Sequence, residues 1–290
     1  MPTSAATPLL DHIVILIPHT FLTSPPEWFA NLFTFYPGGQ HADGLTENTL
    51  VLFPDGSYIE FIAFVPGVDP EKREKHKWGK KKEGHIIDWA LTLPGNAGNG
   101  LGEQKKAFEK IQKAVKDRET DIVYGDLIPG GRHRPDGKEL KWATSGAYKN
   151  DSGATIAVEP GLLPFWCLDD TKRELRVPYL QDRVAQHPKG TVGVALVSVT
   201  PNEQEEAEKL DNVYDALLGG EASADDSLWD LKTLTGETLH AGGQVRLEAV
   251  GETVSVSIAL FTSSRSFEGQ KVGGQITGDV KLEFELVAAK

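Results

Sequence analysis

The stretch Leu10-Asp11-His12-Ile13-Val14-Ile15-Leu16-Ile17-Pro18 decides the fold of this chain. Its apolar residues predict a buried β-strand, and because side chains alternate between the two faces of a strand, His12 is the only polar residue on its face. A similar stretch returns as Ile87-Asp88-Trp89-Ala90-Leu91-Thr92-Leu93-Pro94. When the two prolines are aligned, Asp88 takes the position of His12. The sequence therefore predicts two copies of one module, each opened by such a strand.

Each opening strand is followed by a predicted helix and then by a similar glycine-containing turn. The first turn reads Pro37-Gly38-Gly39-Gln40-His41 and the second reads Pro129-Gly130-Gly131-Arg132-His133. Further predicted strands, separated by turn residues, follow in both copies. This order predicts a βαβββ module over residues 1–68, a charged linker over residues 69–84 and a second βαβββ module over residues 85–178.

The remaining segment, residues 190–290, opens in the same way. Thr191 to Thr200 predicts a strand, and Asn202 is a suitable N-cap for the amphipathic helix that follows. The segment has Ala195 at the position of His12, and its predicted strands contain no histidine. We therefore predict a C-terminal βαβββ-like module with a structural role, which leaves open whether it covers a cleft or forms a homodimer.

Composition narrows the class of protein. The 290 residues are 39% hydrophobic, which suffices for a real core, and the formal charge of −12 argues against a general nucleic-acid binder. The single cysteine, Cys167, excludes an intrachain disulfide. No targeting signal is visible at the N-terminus, and no apolar run reaches the roughly 18 residues of a membrane span. We expect a cytoplasmic protein that binds neither nucleic acid nor membrane.

Single polar residues on apolar faces and next to glycines are the candidates for function. Glu60 is the only carboxylate on its face of a predicted strand, whereas the equivalent position of the second module holds Phe165. His41 and His133 each follow a double glycine, where the backbone turns tightly enough to aim a side chain into a cleft. Either histidine could be a third nitrogen ligand, a general base or a surface residue.

The second glycine turn also carries charged residues. Arg132 and Arg134 could hold an anionic small-molecule substrate, because a guanidinium binds a carboxylate through two hydrogen bonds. The alternative is that Asp136 and Gly137 simply form a hairpin turn. The run of lysines and glutamates in residues 69–84 favours a solvated linker over a binding role, although Trp78 within it could fold back over a cleft.

Four of these motifs together resemble one known group of proteins. They are Leu-Asp-His-Ile-Val at residues 10–14, Pro-Gly-Gly-Gln-His at residues 37–41 with Asn48 downstream, Tyr-Ile-Glu-Phe-Ile-Ala at residues 58–63, and Gly-Gly-Arg-His-Arg-Pro-Asp-Gly at residues 130–137 with Trp142 downstream. Residues 10–178 resemble the glyoxalase-like domain family of the vicinal oxygen chelate superfamily. The resemblance implies an α+β fold in which βαβββ modules pair into a curved, barrel-like mixed sheet.

The resemblance also implies a divalent metal, Zn, Mn, Fe or Ni, in the cleft between the modules. Carried over to this chain, the metal ligands are His12, Glu60 and Asp88. From their own chemistry, His41 could complete the set, and Arg132 and Arg134 could orient the substrate. The fourth ligand position holds Phe165, which cannot bind a metal. The simpler alternatives are a buried, hydrogen-bonded His12, a salt-bridged Glu60 and an Asp88 that bonds to a turn.

Two functions follow as hypotheses. The first is a metal-assisted lyase or isomerase that acts on a small oxygenated metabolite, the metal serving as Lewis acid for an enolate or alkoxide. The second is a small-molecule binding or sequestering protein that uses the same cleft without metal. A metal-free enzyme is a third hypothesis. His12 and Glu60 favour the first, and Phe165 favours the other two.

Overall fold

The computed structural model describes residues 7–95, 100–134, 136–151, 154–181, 183–219, 227–235 and 242–289, the side chains of His133 and Asp151 excepted. Over these residues the fold is a strand-rich α+β arrangement with two large sheets and one small sheet. The first module contains, in order, β1 Leu9–Leu16, α1 His19–Thr23, α2 Glu27–Ala30, β2 Tyr36–Gln40, β3 Thr46–Leu52 and β4 Tyr58–Phe64. The helix α3, Pro70–Lys75, follows it.

Prolines shape the entry into the first module. All eight residues of β1 are buried, and Pro18 stands immediately before α1. The sequence predicts one amphipathic helix here, but the chain forms the two short helices α1 and α2. Pro25 and Pro26 separate them, because proline has no backbone N–H to continue the hydrogen bonds of a helix.

The second module is longer than the first. It contains β5 His85–Thr92, α4 Gly102–Lys116, β6 Ile122–Tyr124, β7 Ile128–His133, β8 Glu139–Ser145, β9 Ala147–Asp151, β10 Ala154–Ala157 and β11 Phe165–Asp169, followed by α5 Arg173–Arg176. Strands β10, β9 and β6 form the small three-stranded sheet. The other strands of both modules form one curved, barrel-like sheet of eight strands in the order β2-β3-β4-β1-β5-β11-β8-β7.

The two opening strands pair with each other at the centre of the eight-stranded sheet. Strands β1 and β5 are antiparallel, with His12 opposite Ala90 and Val14 opposite Asp88. An approximate two-fold axis between the strands therefore relates His12 to Asp88. This is the same equivalence that alignment of the two prolines predicts.

The flanking strands obey the same symmetry. Strand β4 runs parallel to β1 and places Glu60 opposite Val14, while β11 runs parallel to β5 and places Phe165 opposite Ala90. Glu60 and Phe165 are therefore equivalent positions of the two modules. The first module presents a histidine and a carboxylate at the centre of the sheet, and the second presents a carboxylate and an aromatic ring.

The two glycine motifs, predicted as turns, are strands instead. They lie in β2 and β7, which form the two edges of the eight-stranded sheet. Proline is tolerated in an edge strand because its missing N–H can face outward. A Cβ atom at Gly38 would overlap the Asn48 side chain, so glycine is required where β2 passes close to β3.

The C-terminal segment forms the second large sheet. It contains β12 Thr191–Thr200, α6 Gln204–Leu218, β13 Leu228–Leu231, β14 Gly243–Leu247, β15 Ser255–Thr262, a 3-10 turn at Arg265–Phe267, β16 Lys271–Thr277 and β17 Val280–Ala288. The strand order is β13-β14-β12-β15-β17-β16. Strands β12 and β15 form an antiparallel central pair. Strand β14 runs parallel to β12 on one side and β17 runs parallel to β15 on the other, as β4 and β11 do beside β1 and β5. This is the pattern of two reduced modules paired together.

The core is continuous between the two large sheets. Helix α6 packs against α4, and the Tyr214 hydroxyl donates a hydrogen bond of 2.6 Å to the carbonyl of Leu162. The Tyr214 ring also lies 6.3 Å from that of Trp89, nearly parallel to it. Among the described residues, no helix has the length and apolar character needed to cross a bilayer.

One histidine fastens the segment that precedes β12 to the first module. The backbone N–H of Thr34 donates to Nδ1 of His187 over 3.1 Å, and Nε2 of His187 donates to the carbonyl of Leu52 over 2.9 Å. These two bonds require a neutral ring with its proton on Nε2. Burial lowers the pKa of His187 to about 4, although the bond to Leu52 opposes that shift.

This neutral histidine predicts a pH dependence of stability. Between pH 6.5 and pH 4 the unfolded state binds a proton at His187 that the folded state does not, so acidification through this window should cost on the order of 3 kcal/mol of unfolding free energy. Urea denaturation at several pH values measures it. In His187→Gln this loss of unfolding free energy between pH 6.5 and pH 4 should disappear. The control His85→Gln, at an exposed position, should retain it. Equal slopes in wild type and His187→Gln would contradict the assignment.

Candidate functional site

A cleft of about 340 Å³ lies where the two modules meet, over the centre of the eight-stranded sheet. Residues of both modules and of the connection between them line it. They include His12, His41, Asn48, Tyr58, Glu60, His76, Lys77, Trp78, Arg132, Trp142, Phe165, Cys167 and Arg176. The cleft thus contains four of the predicted site residues, namely His12, His41, Glu60 and Arg132.

A β-bulge sets the orientation of His12. The register of β1 against β5 shifts between Leu10 and His12, which leaves Asp11 without a partner in the ladder. A bulge of this kind redirects side chains, so Asp11 and His12 lie side by side instead of on opposite faces. Nδ1 of His12 donates to Oδ1 of Asp11 over 2.6 Å, and the ring stacks on Tyr58 with the centroids 4.6 Å apart.

Two arginines keep Asp11 ionised. Nη1 of Arg173 and Nη2 of Arg176 donate to Oδ2 of Asp11 over 2.6 and 2.8 Å, and both arginines also pair with Asp169. Burial alone would raise the pKa of Asp11, but the two guanidinium charges hold it well below its usual range. An ionised Asp11 keeps the proton of His12 on Nδ1, so Nε2 of His12 is left to accept a proton or to bind a metal.

Glu60 lies between two imidazoles. Its Oε2 is 3.6 Å from Nε2 of His12, and its Oε1 is 3.5 Å from Nε2 of His41 and accepts a 2.5 Å hydrogen bond from Asn48. Burial tends to raise the pKa of Glu60, but His41, His12 and the Asn48 amide together lower it below its usual value. Nδ1 of His41 is hydrogen-bonded to Thr46 at 2.6 Å. We call His12, Glu60 and His41 the triad.

The triad has the chemistry of a metal-binding set. Two ligands that bind zinc at about 2.1 Å with tetrahedral geometry are themselves about 3.4 Å apart, close to the separations within the triad. The outer nitrogens of His12 and His41 are held by Asp11 and Thr46, as those of metal-bound histidines usually are. Within the described ranges, no three His, Cys, Asp or Glu side chains are already arranged as a metal site. The donor atoms of the triad therefore suit a metal ion. In this structure the triad is held by a hydrogen bond from Asn48 to Glu60 instead.

The family model of the glyoxalase-like domain matches residues 10–214. This chain belongs to the glyoxalase-like domain family. The family resemblance is thus confirmed, and the match extends beyond residue 178 to include β12 and most of α6.

One solved structure supports the fold of this glyoxalase-like protein. A hypothetical protein from Staphylococcus aureus is similar with a TM-score of 0.62 and 15% identity, over 97% of this chain and 100% of that chain. Methylmalonyl-CoA epimerase from Mycobacterium tuberculosis (TM-score 0.33, 12% identity, 60% and 95% coverage) and a glyoxalase I mutant from Zea mays (0.33, 14%, 84% and 69%) are too distant to support an argument. No curated protein shows a significant match.

The surroundings of Asp88, the ligand predicted in the second module of this glyoxalase-like protein, differ from those of His12 and Glu60. Asp88 does not line the cleft, because Trp78 covers it and donates a 2.8 Å hydrogen bond from Nε1 to Oδ2. Nζ of Lys77 lies 3.5 Å from the same oxygen and 3.7 Å above the centroid of Phe165. In the second module the ligand positions therefore face an ammonium group contributed by the predicted linker.

The two predicted substrate arginines have different surroundings. Arg132 is only 7% exposed, lines the cleft and donates from Nη1 to the carbonyl of Gly38. Arg134 is directed elsewhere, donating to the carbonyl of Leu175 over 3.0 Å and pairing with Asp136 at 3.1 Å. The side chain of His133 lies outside the described residues. Of these two arginines, Arg132 is therefore the one that faces the cleft.

Two groups of residues at the site were not predicted from the sequence. Arg173 and Arg176 lie near the end of the segment predicted as the second module, and their spacing of three places both on one face of the short helix α5. Lys77 was one lysine among many in a charged run. The signal for it was its neighbour Trp78, a large apolar residue with no reason to lie in a solvated linker.

Replacing Asp11 should reveal how far the site depends on its buried charges. In Asp11→Asn two buried guanidinium groups lose their central carboxylate, which should cost about 3–5 kcal/mol of unfolding free energy in chemical denaturation. The matched control is Asp117→Asn, whose partner Lys113 is exposed, and it should leave stability unchanged. If the Asp11 variant were as stable as wild type, the buried cluster would not be what fixes His12.

Proposed function

We propose that this protein is a metal-assisted lyase or isomerase that acts on a small oxygenated metabolite in the cleft. The observation that carries the proposal is the triad, in which two imidazole nitrogens lie 3.5–3.6 Å from the oxygens of one ionised carboxylate. An arrangement of this kind has little use in a purely structural core, because burying a carboxylate is costly.

The three side chains of the triad would hold the metal. Nitrogen and carboxylate donors suit Zn, Mn, Fe or Ni, and the bound ion would supply a Lewis acid that stabilises an enolate or alkoxide. Asp88 is not included in this set, because its Oδ2 already accepts a hydrogen bond from Trp78 and pairs with Lys77.

Other residues of the chain would bind and enclose the substrate. Arg132 donates hydrogen bonds to an anionic group of the substrate, because its remaining N–H groups have no carboxylate partner among the described residues. Trp78, Trp142 and Phe165 form apolar walls that exclude water, which strengthens electrostatic interactions within the cleft. Asp11 keeps the His12 proton on Nδ1, so Nε2 is available throughout the reaction.

Metal titration tests the proposal directly. Wild-type protein, stripped of metal and desalted, should bind close to one equivalent of Zn, Mn, Fe(II) or Ni in isothermal titration calorimetry, with elemental analysis after dialysis as a second measurement. His12→Ala, His41→Ala and Glu60→Gln should each weaken binding at least about tenfold, because each removes a ligand of the triad. Asp88→Asn and the exposed-position control His85→Ala should keep the wild-type affinity.

Two outcomes would reject the metal assignment. One is a wild-type protein that binds none of the four ions. The other is undiminished binding in the double variant His12→Ala/Glu60→Gln. Loss of binding in Asp88→Asn as large as in His12→Ala would instead restore Asp88 as a ligand.

A metal-free binding or sequestering protein is the second candidate. It is favoured by one observation: the ligand positions of the second module hold Phe165 and a covered Asp88, with Lys77 in front of both. Under this proposal the same titration yields no metal binding, while small ligands bind to the metal-free protein and protect it against thermal unfolding.

A further inference from the structure

The two halves of the cleft are unequal in charge. The pseudo-two-fold axis relates the triad residues His12 and Glu60 to Asp88 and Phe165, which are a covered carboxylate and a ring. Next to both of these side chains lies the ammonium of Lys77. It comes from the connection between the modules, one of whose residues, Trp78, is itself buried.

The position of Lys77 is well defined by its contacts. Its Nζ lies 3.7 Å from the ring centroid of Phe165, 4.0 Å from that of Trp78 and 3.5 Å from Oδ2 of Asp88. Aromatic faces and a carboxylate both attract a cation, so the ammonium is held in place on one side. The side chain is nevertheless 45% exposed and lines the cleft, which leaves other N–H groups of the ammonium free for a ligand.

Arg132 provides independent evidence for an anion in the same cleft. It is more than nine-tenths buried, yet no carboxylate lies within ion-pair distance of it in the described part of the chain. Its hydrogen bond to the carbonyl of Gly38 uses one of its five N–H groups. A buried guanidinium with no carboxylate in direct contact is costly, and an anionic ligand would relieve that cost.

The walls of the cleft limit the rest of the ligand. Trp78, Trp142 and Phe165 are aromatic, Leu50 is aliphatic, and the volume is about 340 Å³. That volume lies at the low end of the range for small-molecule sites of about 300–1,000 Å³. The ligand is therefore small, anionic at one end and apolar at the other.

We propose that Lys77 anchors the carboxylate of the ligand, together with Arg132, and that the cleft takes small carboxylic acids with a short aliphatic or aromatic tail. The inference deepens the proposed function and rests on its choice of cleft. It does not depend on a metal, because Lys77 and Arg132 hold the carboxylate by their own charges and hydrogen bonds.

Binding of acids and their uncharged amides to the metal-free protein tests this proposal. The probes are butyrate, 3-phenylpropionate, phenylpyruvate and phenyllactate, each compared with its primary amide, by calorimetry on full-length protein that has been stripped of metal and desalted. At least one acid should bind wild type about tenfold or more tightly than its amide, the usual size of a charge-assisted hydrogen bond. Lys77→Met should abolish that preference, Lys77→Arg should restore part of it, and the exposed linker control Lys80→Met should retain it.

A double variant removes the one ambiguity in this design. Lys77→Met exposes the ligand to Asp88, whose charge would repel an acid whether or not Lys77 contacts it. In Lys77→Met/Asp88→Asn that repulsion is absent, and the preference for acids should still be lost. If the double variant instead regained the full wild-type preference for acids, the proposal would be overturned, because the role of Lys77 would then be only to neutralise Asp88.

Two further results would overturn it. One is a wild-type protein that binds no acid more tightly than its amide, and the other is a preference that survives in Lys77→Met. Failure of the metal titration leaves this test intact, since the acids are measured without metal. Conversely, a protein that binds metal through the triad but shows no acid preference would retain the proposed function and lose only the role of Lys77.

Discussion

The Asp11 carboxylate, buried between two guanidinium groups, is the interaction on which the site depends. Arg173 and Arg176 lie on α5, at the end of the second module, whereas Asp11 lies on the first strand of the chain. Removing these charges from water is costly, so the cluster is stable only when all of its partners are present. Its formation therefore requires the ends of the module pair to come together, and the same contact fixes the ring of His12.

The site combines features of both halves of a duplicated fold without being symmetrical. The first module contributes His12, Glu60 and His41, while the equivalent positions of the second module have become a wall of the cleft. Arg132 and Phe165 come from the second module and face the triad across the cleft. The two modules thus place equivalent strands at the cleft, but the first offers metal-type donors and the second an arginine and an aromatic ring.

Much of this architecture could be predicted from periodicity and repetition. Alignment of Pro18 with Pro94 predicts the equivalence of His12 and Asp88, because the two opening strands share their length and alternation. The inward position of Glu60 follows from the same alternation. These predictions succeed where the backbone is regular and each residue's face depends only on its distance along the strand.

The predictions were wrong or incomplete where tertiary contacts override local pattern. Strict alternation separates Asp11 from His12, but a bulge brings them together. The glycine motifs read as turns, yet sheet pairing makes them edge strands. Residues of the linker carry no periodicity, and the local signal for Lys77 is the adjacent Trp78, whose burial gives the lysine a fixed position.

Because Trp78 is held in a fixed position, the length of the connection between the modules affects the cleft. Ordinary surface loops tolerate insertions because their length affects little beyond chain entropy. Here the short connection between α3 and β5 must place the Trp78 indole and the Lys77 ammonium against Asp88. A gain or loss of residues between 76 and 84 would leave the sheet intact but displace both groups. Homologues that differ in the length of this connection should therefore share the fold and differ in the ligands they accept.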